Sequence, residues 1–151
     1  MTRLIPLDSG VVGFLISKPS DQKRECVAWV RRLRGQGIAF TIPDIVDFEV
    51  RREVIRLNAS AQLARLDSPR AAFGESPVPT EAWRKAAEFW AIVRRIGVPT
   101  ASPDAFDGDP ILAALAVMIG DPGQEIIIAT TNVRHLGRFP GVDARTWSQI
   151  A

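Results

Sequence analysis

The chain has 151 residues and a mass of 16.6 kDa, which is the size of one compact domain. Its 19 basic and 17 acidic residues give a net charge of +2, which permits a nucleic-acid partner without requiring one. The 46% hydrophobic and 24% charged residues exclude intrinsic disorder, and the single cysteine excludes an intramolecular disulfide. The longest apolar run, Ile111 to Ile119, is too short to span a bilayer. The first residues of the sequence do not have the pattern of a signal peptide, because no basic region is followed by a long apolar one. We therefore expect a soluble, cytoplasmic protein without a membrane partner.

Short apolar runs alternate with helical patterns along the chain. The runs predict buried strands over Arg3–Leu7, Ile38–Ile42 and Glu125–Thr130, with a weaker edge strand over Ala144–Trp147. The intervening patterns predict helices over Gly10–Ile16, Asp21–Gln36, Pro43–Asn58, Ser60–Leu66, Thr80–Gly97 and Pro110–Ile119. Loops are expected in the Pro- and Gly-rich stretches Ser68–Thr80 and Gly97–Pro110. The sequence thus predicts a single α/β domain over residues 1–151, with a mainly parallel sheet flanked by helices and a helical hairpin from Ser60 to Gly97.

Two acidic residues are associated with the first two predicted strands. Ligands of open α/β sheets bind at the carboxyl ends of the strands, so acids at this edge are candidate site residues. Asp8 directly follows the first strand, where the commoner role of an aspartate is to cap the next helix. Glu49 lies about 60° to one side of Val46 on the following helix, beside a stripe formed with Val50 and Leu57. The alternative for Glu49 is a half-exposed side chain paired with neighbours one turn away.

A second acidic pair precedes the last long helix. Asp109 and Pro110 form a pattern typical of an N-cap followed by Pro at the first helical position. Asp107 adds a second carboxylate that capping does not require.

Polar side chains also follow the third strand. Thr130 and Asn132 can hydrogen-bond a water molecule or a phosphate, whereas Thr131 is expected to cap a helix. His135 has no His or Cys partner at ligand spacing, so we expect a surface or packing role for it.

The candidate residues are expected to meet at one end of the sheet. Asp8, Glu49, Asp109 and the pair Thr130 and Asn132 would form this cluster. Carboxylates brought together repel one another unless a cation neutralises them. Hard oxygen ligands favour Mg²⁺ or Mn²⁺ over Zn²⁺. Such a metal site suits phosphodiester hydrolysis.

Four motifs, taken in order, resemble those of PIN-domain proteins, the nuclease superfamily that includes the VapC-type toxins. The motifs are Leu7-Asp8-Ser9, Glu49-Val50-Arg51-Arg52-Glu53, the segment from Asp107 to Ala114, and the segment from Ile128 to Leu136. The resemblance covers nearly the whole chain. It implies a PIN-like fold and metal-dependent cleavage of single-stranded RNA that leaves a 5′-phosphate.

The resemblance also assigns roles to individual residues. The catalytic residues it implies are Asp8, Glu49, Asp109, Asn132 and Thr130. The three acids would hold Mg²⁺ or Mn²⁺, with Asp107 as a further metal ligand. Asn132 stands where the family often has Asp, and an amide adds no negative charge, so the number of metal ions stays open. The RNA backbone would contact Arg51, Arg52, Arg56 and Arg134.

Two expectations about partners follow from the same resemblance. The resemblance, together with the four tryptophans Trp29, Trp83, Trp90 and Trp147, predicts a homodimer. The sequence leaves open whether the enzyme acts alone on RNA or is the toxin of a pair with a small antitoxin protein.

Other enzyme classes fit the sequence less well. A haloacid-dehalogenase-like phosphotransferase needs a second Asp two residues after Asp8, where this chain has Gly10. A receiver domain needs a paired acid and a later Lys, and no phosphate-binding glycine pattern follows a predicted strand. The competing hypothesis is a PIN-fold module that binds RNA or protein with little catalysis, which Asn132 favours and the three retained acids oppose.

Overall fold

The computed structural model describes residues 2–74, 76–96 and 108–151. Five short strands are described: β1 (Arg3–Pro6), β2 (Ala39–Thr41), β3 (Glu125–Ile126), β4 (Ile128–Thr130) and β5 (Ala144–Thr146). The described helices are α1 (Ser9–Ile16), α2 (Asp21–Gly35), α3 (Asp44–Arg56), α4 (Ser60–Phe73), α5 (Thr80–Arg95), α6 (Asp109–Met118) and α7 (Val133–Leu136), followed by a 3₁₀ turn over Trp147–Gln149.

All described strand pairs are parallel, as the sequence predicts. Strand β1 lies between β2 and β3, with Leu4 opposite both Ala39 and Ile126. Strand β4 pairs with β5, and a bridge between Leu7 and Ala129 joins the two groups of strands. The predicted strand Glu125–Thr130 is divided at Ile127, because the chain leaves its ladder with β1 there and begins the ladder with β5. Parallel pairing brings the carboxyl ends of β1, β2 and β4 to one edge.

Helices cover the sheet and bury its apolar side chains. Helix α6 is the most enclosed, with every residue from Pro110 to Ala116 buried. Trp29 and Trp147 are also core residues, with ring centroids 5.5 Å apart, and the Trp29 indole N–H donates to the Ile150 carbonyl at 2.9 Å. Burial raises the pKa of the Cys26 thiol to about 12, so this thiol stays protonated at neutral pH.

Helix α4 continues beyond the residue where the sequence predicts a loop. The prediction ends it at Leu66, yet the helix runs through Pro69 to Phe73. Proline inside a helix removes a backbone hydrogen bond, so other contacts must hold the last turn. Arg70 donates to the Ile42 carbonyl and to the Asp44 carboxylate, and Phe73 packs on Phe40. These long-range contacts explain the additional helical residues.

The predicted hairpin of α4 and α5 is wrong. Helix α5 packs mainly on α6, whereas α4 packs on α1 and α3. The apolar face of α5, with Ala82, Ala86, Phe89 and Val93 buried, is directed to the core through α6. Each helix therefore buries its own apolar face on a different part of the domain.

Helix α3 is shorter at both ends than predicted. It ends at Arg56, and Asn58 adopts a left-handed backbone with φ +53°, a conformation that terminates helices. Leu57 is therefore exposed rather than part of the buried stripe, and Val54 takes its place beside Val50. Within the described part of the chain, no helix combines the length and apolar character needed to cross a membrane.

Candidate functional site

Asp8 lies where β1 ends and α1 begins. Its backbone N–H donates to the Ala129 carbonyl at 3.0 Å, which continues the pairing between β1 and β4. Its side chain caps α1, because Oδ1 accepts from the Ser9 backbone N–H at 2.7 Å. The other oxygen, Oδ2, accepts from the Thr130 hydroxyl at 2.7 Å. Asp8 is thus both the helix cap and a fixed carboxylate at the sheet edge.

Thr130 is fully buried and connects Asp8 to the next loop. Its hydroxyl donates to Asp8 and accepts from the backbone N–H of Asn132 at 2.9 Å. A hydroxyl carries one hydrogen, so its single donor is committed to Asp8. Thr130 therefore orients Asp8 and the Asn132 backbone, and its role in this structure is positional.

The start of α1 approaches the loop after β4 very closely. A methyl group at Gly10 would lie 2.5 Å from Thr131 Oγ1, which only a residue without a Cβ avoids. The predicted capping role of Thr131 is wrong, because α7 begins after Asn132 without a side-chain cap bond. Thr131 instead packs against Gly10 and lines the same cavity as Asp8.

Asp109 is the first residue of α6 rather than its N-cap. Gly108 occupies the N-cap position, and no side chain caps this helix. A carboxylate in the first helical turn is stabilised by the positive end of the helix dipole. Asp109 Oδ2 lies 3.7 Å from His135 Nδ1 on α7. The predicted cap assignment therefore fails by one residue, and the carboxylate faces the loop after β4.

Glu49 reaches the same corner from α3. Its half-buried carboxylate occupies the space beside Gly108, where an added Cβ would lie 1.5 Å from Glu49 Oε1. Any larger residue at position 108 would displace Glu49. The contact brings Glu49 against the residue that immediately precedes Asp109.

A polar cavity of about 250 Å³ collects these groups. It is lined by Asp8, Ser9, Gly10, Asp109, Thr131, Asn132, His135 and Leu136. Glu49 lines a neighbouring cavity of about 450 Å³, which shares Ser9 and Gly10 with the first. Across residues 2–74, 76–96 and 108–151, no three His, Cys, Asp or Glu side chains approach closely enough to enclose a metal ion. Asp107, the fourth predicted metal ligand, lies outside the described residues.

The four arginines predicted to contact RNA have different environments. Arg51 donates to Asp47 at 3.0 Å and to Asp67 at 2.8 Å, and these carboxylates raise its pKa further. Arg56 is exposed and pairs with Glu53, which raises the pKa of Arg56 and lowers that of Glu53. Arg51 thus links α3 to α4, and Arg56 has a carboxylate partner on its own helix.

The other two arginines lie nearer the candidate site. Arg52 stacks over the Phe48 ring at 5.4 Å and lines the cavity that contains Glu49. Arg134 is exposed on α7, one residue before His135. Arg52 thus lies beside Glu49, whereas Arg134 immediately precedes His135, a residue that lines the Asp8 cavity.

The structure places His135 in the same cavity as Asp8, Asp109 and Asn132, whereas the sequence predicts a surface or packing role for it. A search for His or Cys partners does not find this residue, because its neighbour is the carboxylate of Asp109, 26 residues earlier in the chain.

We predict that Thr130→Val destabilises the protein, because Asp8 loses one hydrogen-bond donor and the Asn132 N–H loses its acceptor. Leaving buried polar groups unpaired costs about 1–3 kcal/mol, measurable as a lower free energy of unfolding in urea. Thr130→Ser retains the hydroxyl and serves as the control, with a smaller loss. Equal losses for both variants would show that packing, not the hydroxyl, is the important property of residue 130.

Comparison with known proteins supports the same architecture. No family model matches the sequence, and the comparison with curated proteins gives no match either. The structure is similar to that of VapBC2 from Rickettsia felis bound to a promoter DNA fragment, with a TM-score of 0.73, 15% identity, and coverage of 95% of this chain and 98% of that one. It is also similar to DNA-bound VapBC from Salmonella typhimurium, with a TM-score of 0.70, 22% identity, and coverage of 97% of this chain and 99% of that one. A third similar structure is FitAcB from Neisseria gonorrhoeae, with a TM-score of 0.64, 16% identity, and coverage of 97% of this chain and 99% of that one. The chain has the fold of the VapC-like PIN-domain proteins.

Proposed function

We propose that this chain is a metal-dependent endoribonuclease that hydrolyses phosphodiester bonds of single-stranded RNA. The observation that carries the proposal is the pair Asp8 and Asp109 in one polar cavity at the carboxyl edge of a parallel sheet, with Glu49 in the adjoining cavity. Carboxylates from separate elements repel one another at this edge unless a cation binds there. A purely structural role needs only the helix cap that Asp8 supplies.

The donors at this corner suit Mg²⁺ or Mn²⁺. Mg²⁺ retains several water molecules and is commonly bound through one or two carboxylates, so Asp8 and Asp109 are sufficient protein ligands. Glu49, against Gly108, is the third candidate ligand. When bound, such an ion would make a water molecule a better nucleophile and neutralise charge on the phosphate oxygens.

The remaining side chains in the cavity would orient the substrate. Thr130 holds Asp8 in one rotamer, so the carboxylate needs no rearrangement before it acts. The Asn132 amide, a neutral donor and acceptor, would hydrogen-bond a phosphate oxygen or the attacking water. His135, 3.7 Å from Asp109 and in the same cavity as Asp8, would contact the phosphate.

Arg52 and Arg134 are the stronger candidates for contacts with the RNA backbone. Arg52 lines the cavity that contains Glu49, Arg134 is exposed immediately before His135 in the chain, and guanidinium groups bind phosphate bidentately. Arg51 and Arg56 are poorer candidates, because an RNA contact would break existing bonds to Asp47, Asp67 or Glu53.

The proposed partner is a small antitoxin protein. Two of the similar structures are VapBC complexes bound to DNA, and another similar structure is FitAB bound to a DNA fragment. We propose that this chain is the toxin of such a pair, with its antitoxin in an adjacent reading frame.

We also propose a homodimer formed through α3 and α5. Trp83 and Trp90 are 48% and 40% exposed and lie seven residues apart, on one face of α5. Phe48 on α3, 51% exposed, lines a cavity of about 470 Å³ together with Trp83. Exposed aromatic side chains of this kind are typical of protein interfaces. Trp29 and Trp147, which the sequence also suggested for the interface, are in the core.

A binding module with little catalysis is the second candidate. Asn132 favours it, because an amide at this position contributes no negative charge for a second metal ion. The two candidates differ in whether divalent metal binds at Asp8 and whether RNA is cleaved.

We predict that Mg²⁺ or Mn²⁺ raises the melting temperature and that Asp8→Asn abolishes the rise. A metal that binds only the folded state, at 100 times its dissociation constant, stabilises it by about 2.7 kcal/mol, or roughly 5–10 °C for this chain length. Asp121→Asn removes an exposed carboxylate outside the candidate site and is the control. The site assignment fails if Asp8→Asn retains the full metal response.

We predict that the protein cleaves single-stranded RNA in Mn²⁺ or Mg²⁺ and that EDTA stops the reaction. Glu49→Gln should lower the cleavage rate by about 100-fold or more. Its RNA binding should be unchanged or slightly tighter, because a negative charge facing phosphate is lost. Glu53→Gln, one turn further along α3, is the matched control and should cleave normally.

Cleavage by Glu49→Gln at the wild-type rate, in protein free of contaminating ribonuclease, would refute this mechanism. RNA binding without cleavage in every metal tested would favour the binding module. Asn132→Asp is then the first substitution to test for recovered activity.

We predict a dimeric mass by light scattering at micromolar concentration, and a monomeric mass for the double variant Phe48→Ser and Trp83→Ser. The control is Met118→Ser, which changes an exposed apolar residue on α6 and should remain dimeric. A wild-type monomer would contradict the proposed interface.

A further inference from the structure

Basic residues are concentrated on α2 and its flanking turns. Residues 17–36 contain six basic and two acidic residues, a net charge of +4. The rest of the chain has 13 basic and 15 acidic residues, a net charge of −2, which together give the overall +2. The near-neutral total therefore conceals a separation of charge between one helix and the remainder of the domain.

Several basic side chains on α2 have no carboxylate partner, in contrast to many arginines and lysines elsewhere in the described structure. Arg3, Arg51, Arg56, Arg70, Lys85 and Arg145 form ion pairs with carboxylates. On α2, Arg31 and Arg32 are exposed and have no ion pair with any residue of the described ranges 2–74, 76–96 and 108–151. Arg34 stacks on Phe73 instead of pairing with a carboxylate. Arg24 forms an ion pair with Asp21, so the positive charge that the described residues leave without a carboxylate partner on α2 includes that of Arg31 and Arg32.

Helix stability explains only part of this pattern. Arg32 and Arg34 lie in the last turn, where cations interact favourably with the helix dipole. Lys23 and Arg24 lie in the first turn, where the dipole disfavours cations. A shallow cavity of about 420 Å³ runs from Lys23 and Arg24 along Val27 and Ala28 to Arg31. Arg24 is paired with Asp21, so the remaining positive groups of the groove are Lys23 at one end and Arg31 at the other, with Arg32 next to Arg31 in the chain. Positive groups at both ends of one groove suit an extended anionic ligand.

We propose that this groove on α2 binds the phosphate backbone of single-stranded RNA outside the catalytic cavity. The proposal depends on the proposed function only in naming RNA as the ligand. An anionic membrane surface is disfavoured, because the groove offers the small side chains of Val27 and Ala28 instead of large apolar ones. Guanidinium groups bind phosphate oxygens in pairs, which suits a polymer that presents phosphates at regular spacing.

The groove lies within reach of a strand bound at the candidate site. Helix α1 starts at the Asp8 cap and has eight residues, so it spans about 12 Å. Lys23 Nζ donates to the Ser17 carbonyl at 2.7 Å, which joins the first turn of α2 to the C-terminal end of α1. An RNA held at Asp8 would therefore reach the groove after a few nucleotides, and a very short RNA would not.

The test is RNA binding without catalysis. Fluorescence anisotropy with a labelled 20-nucleotide single-stranded RNA in EDTA, over a range of salt, compares wild type with the double variant Arg31→Gln and Arg32→Gln. We expect at least tenfold weaker binding by the variant. We also expect the slope of log affinity against log salt to fall by about 1.4, since each phosphate contact on a single strand contributes about 0.7. Arg84→Gln with Arg95→Gln on α5 removes the same net charge from another exposed surface and should bind nearly as wild type.

Two outcomes would overturn the proposal. They are unchanged binding by the α2 variant and equal weakening in the α5 control. Duplex DNA or poly-glutamate that binds as tightly as RNA, with the same dependence on Arg31 and Arg32, would assign the groove to a different partner. Because no metal is present, these results are independent of whether the chain cleaves RNA.

Discussion

The hydrogen bond from Thr130 to Asp8 joins the ends of two parallel strands, and the arrangement of the candidate site depends on it. Asp8 also caps α1, so the same carboxylate fixes a strand end, a helix start and one wall of the cavity. Asp109 occupies the first turn of another helix. Two acids are thereby held at positive helix termini, which offsets part of the cost of bringing negative charges together. Glu49 lies inside α3 instead of at a helix terminus, and its carboxylate packs closely against Gly108.

The α/β class and the parallel sheet could be predicted because strand and helix periodicities alternate clearly in the sequence. Boundaries failed where distant contacts override local signals. Contacts of Arg70 and Phe73 extend α4 through a proline. Their partners Phe40, Ile42 and Asp44 lie about 30 residues earlier in the chain, so the local sequence pattern does not identify them. The hairpin prediction failed for the same reason, since two amphipathic helices adjacent in sequence have no local signal that tells which surface each one covers.

The candidate site shows the same division between local and long-range information. The geometric rule for open sheets predicts that Asp8 and the residues after β4 meet, and they do line one cavity. The contact of Glu49 with Gly108 joins residues far apart in the chain, so no helical spacing predicts it. Capping rules assigned Asp109 to the wrong position by one residue, because Asp followed by Pro permits either arrangement. The nearness of His135 to Asp109 could not be predicted from ligand spacing, because the two residues lie 26 positions apart in the chain.

Crystals grown with Mn²⁺ test directly whether the carboxylates at the sheet edge bind a divalent metal ion. Anomalous scattering locates the ion without any assumption about activity. We expect one strong anomalous peak in the cavity lined by Asp8 and Asp109. The absence of an anomalous peak from this cavity at a saturating Mn²⁺ concentration would contradict the assignment of a metal site.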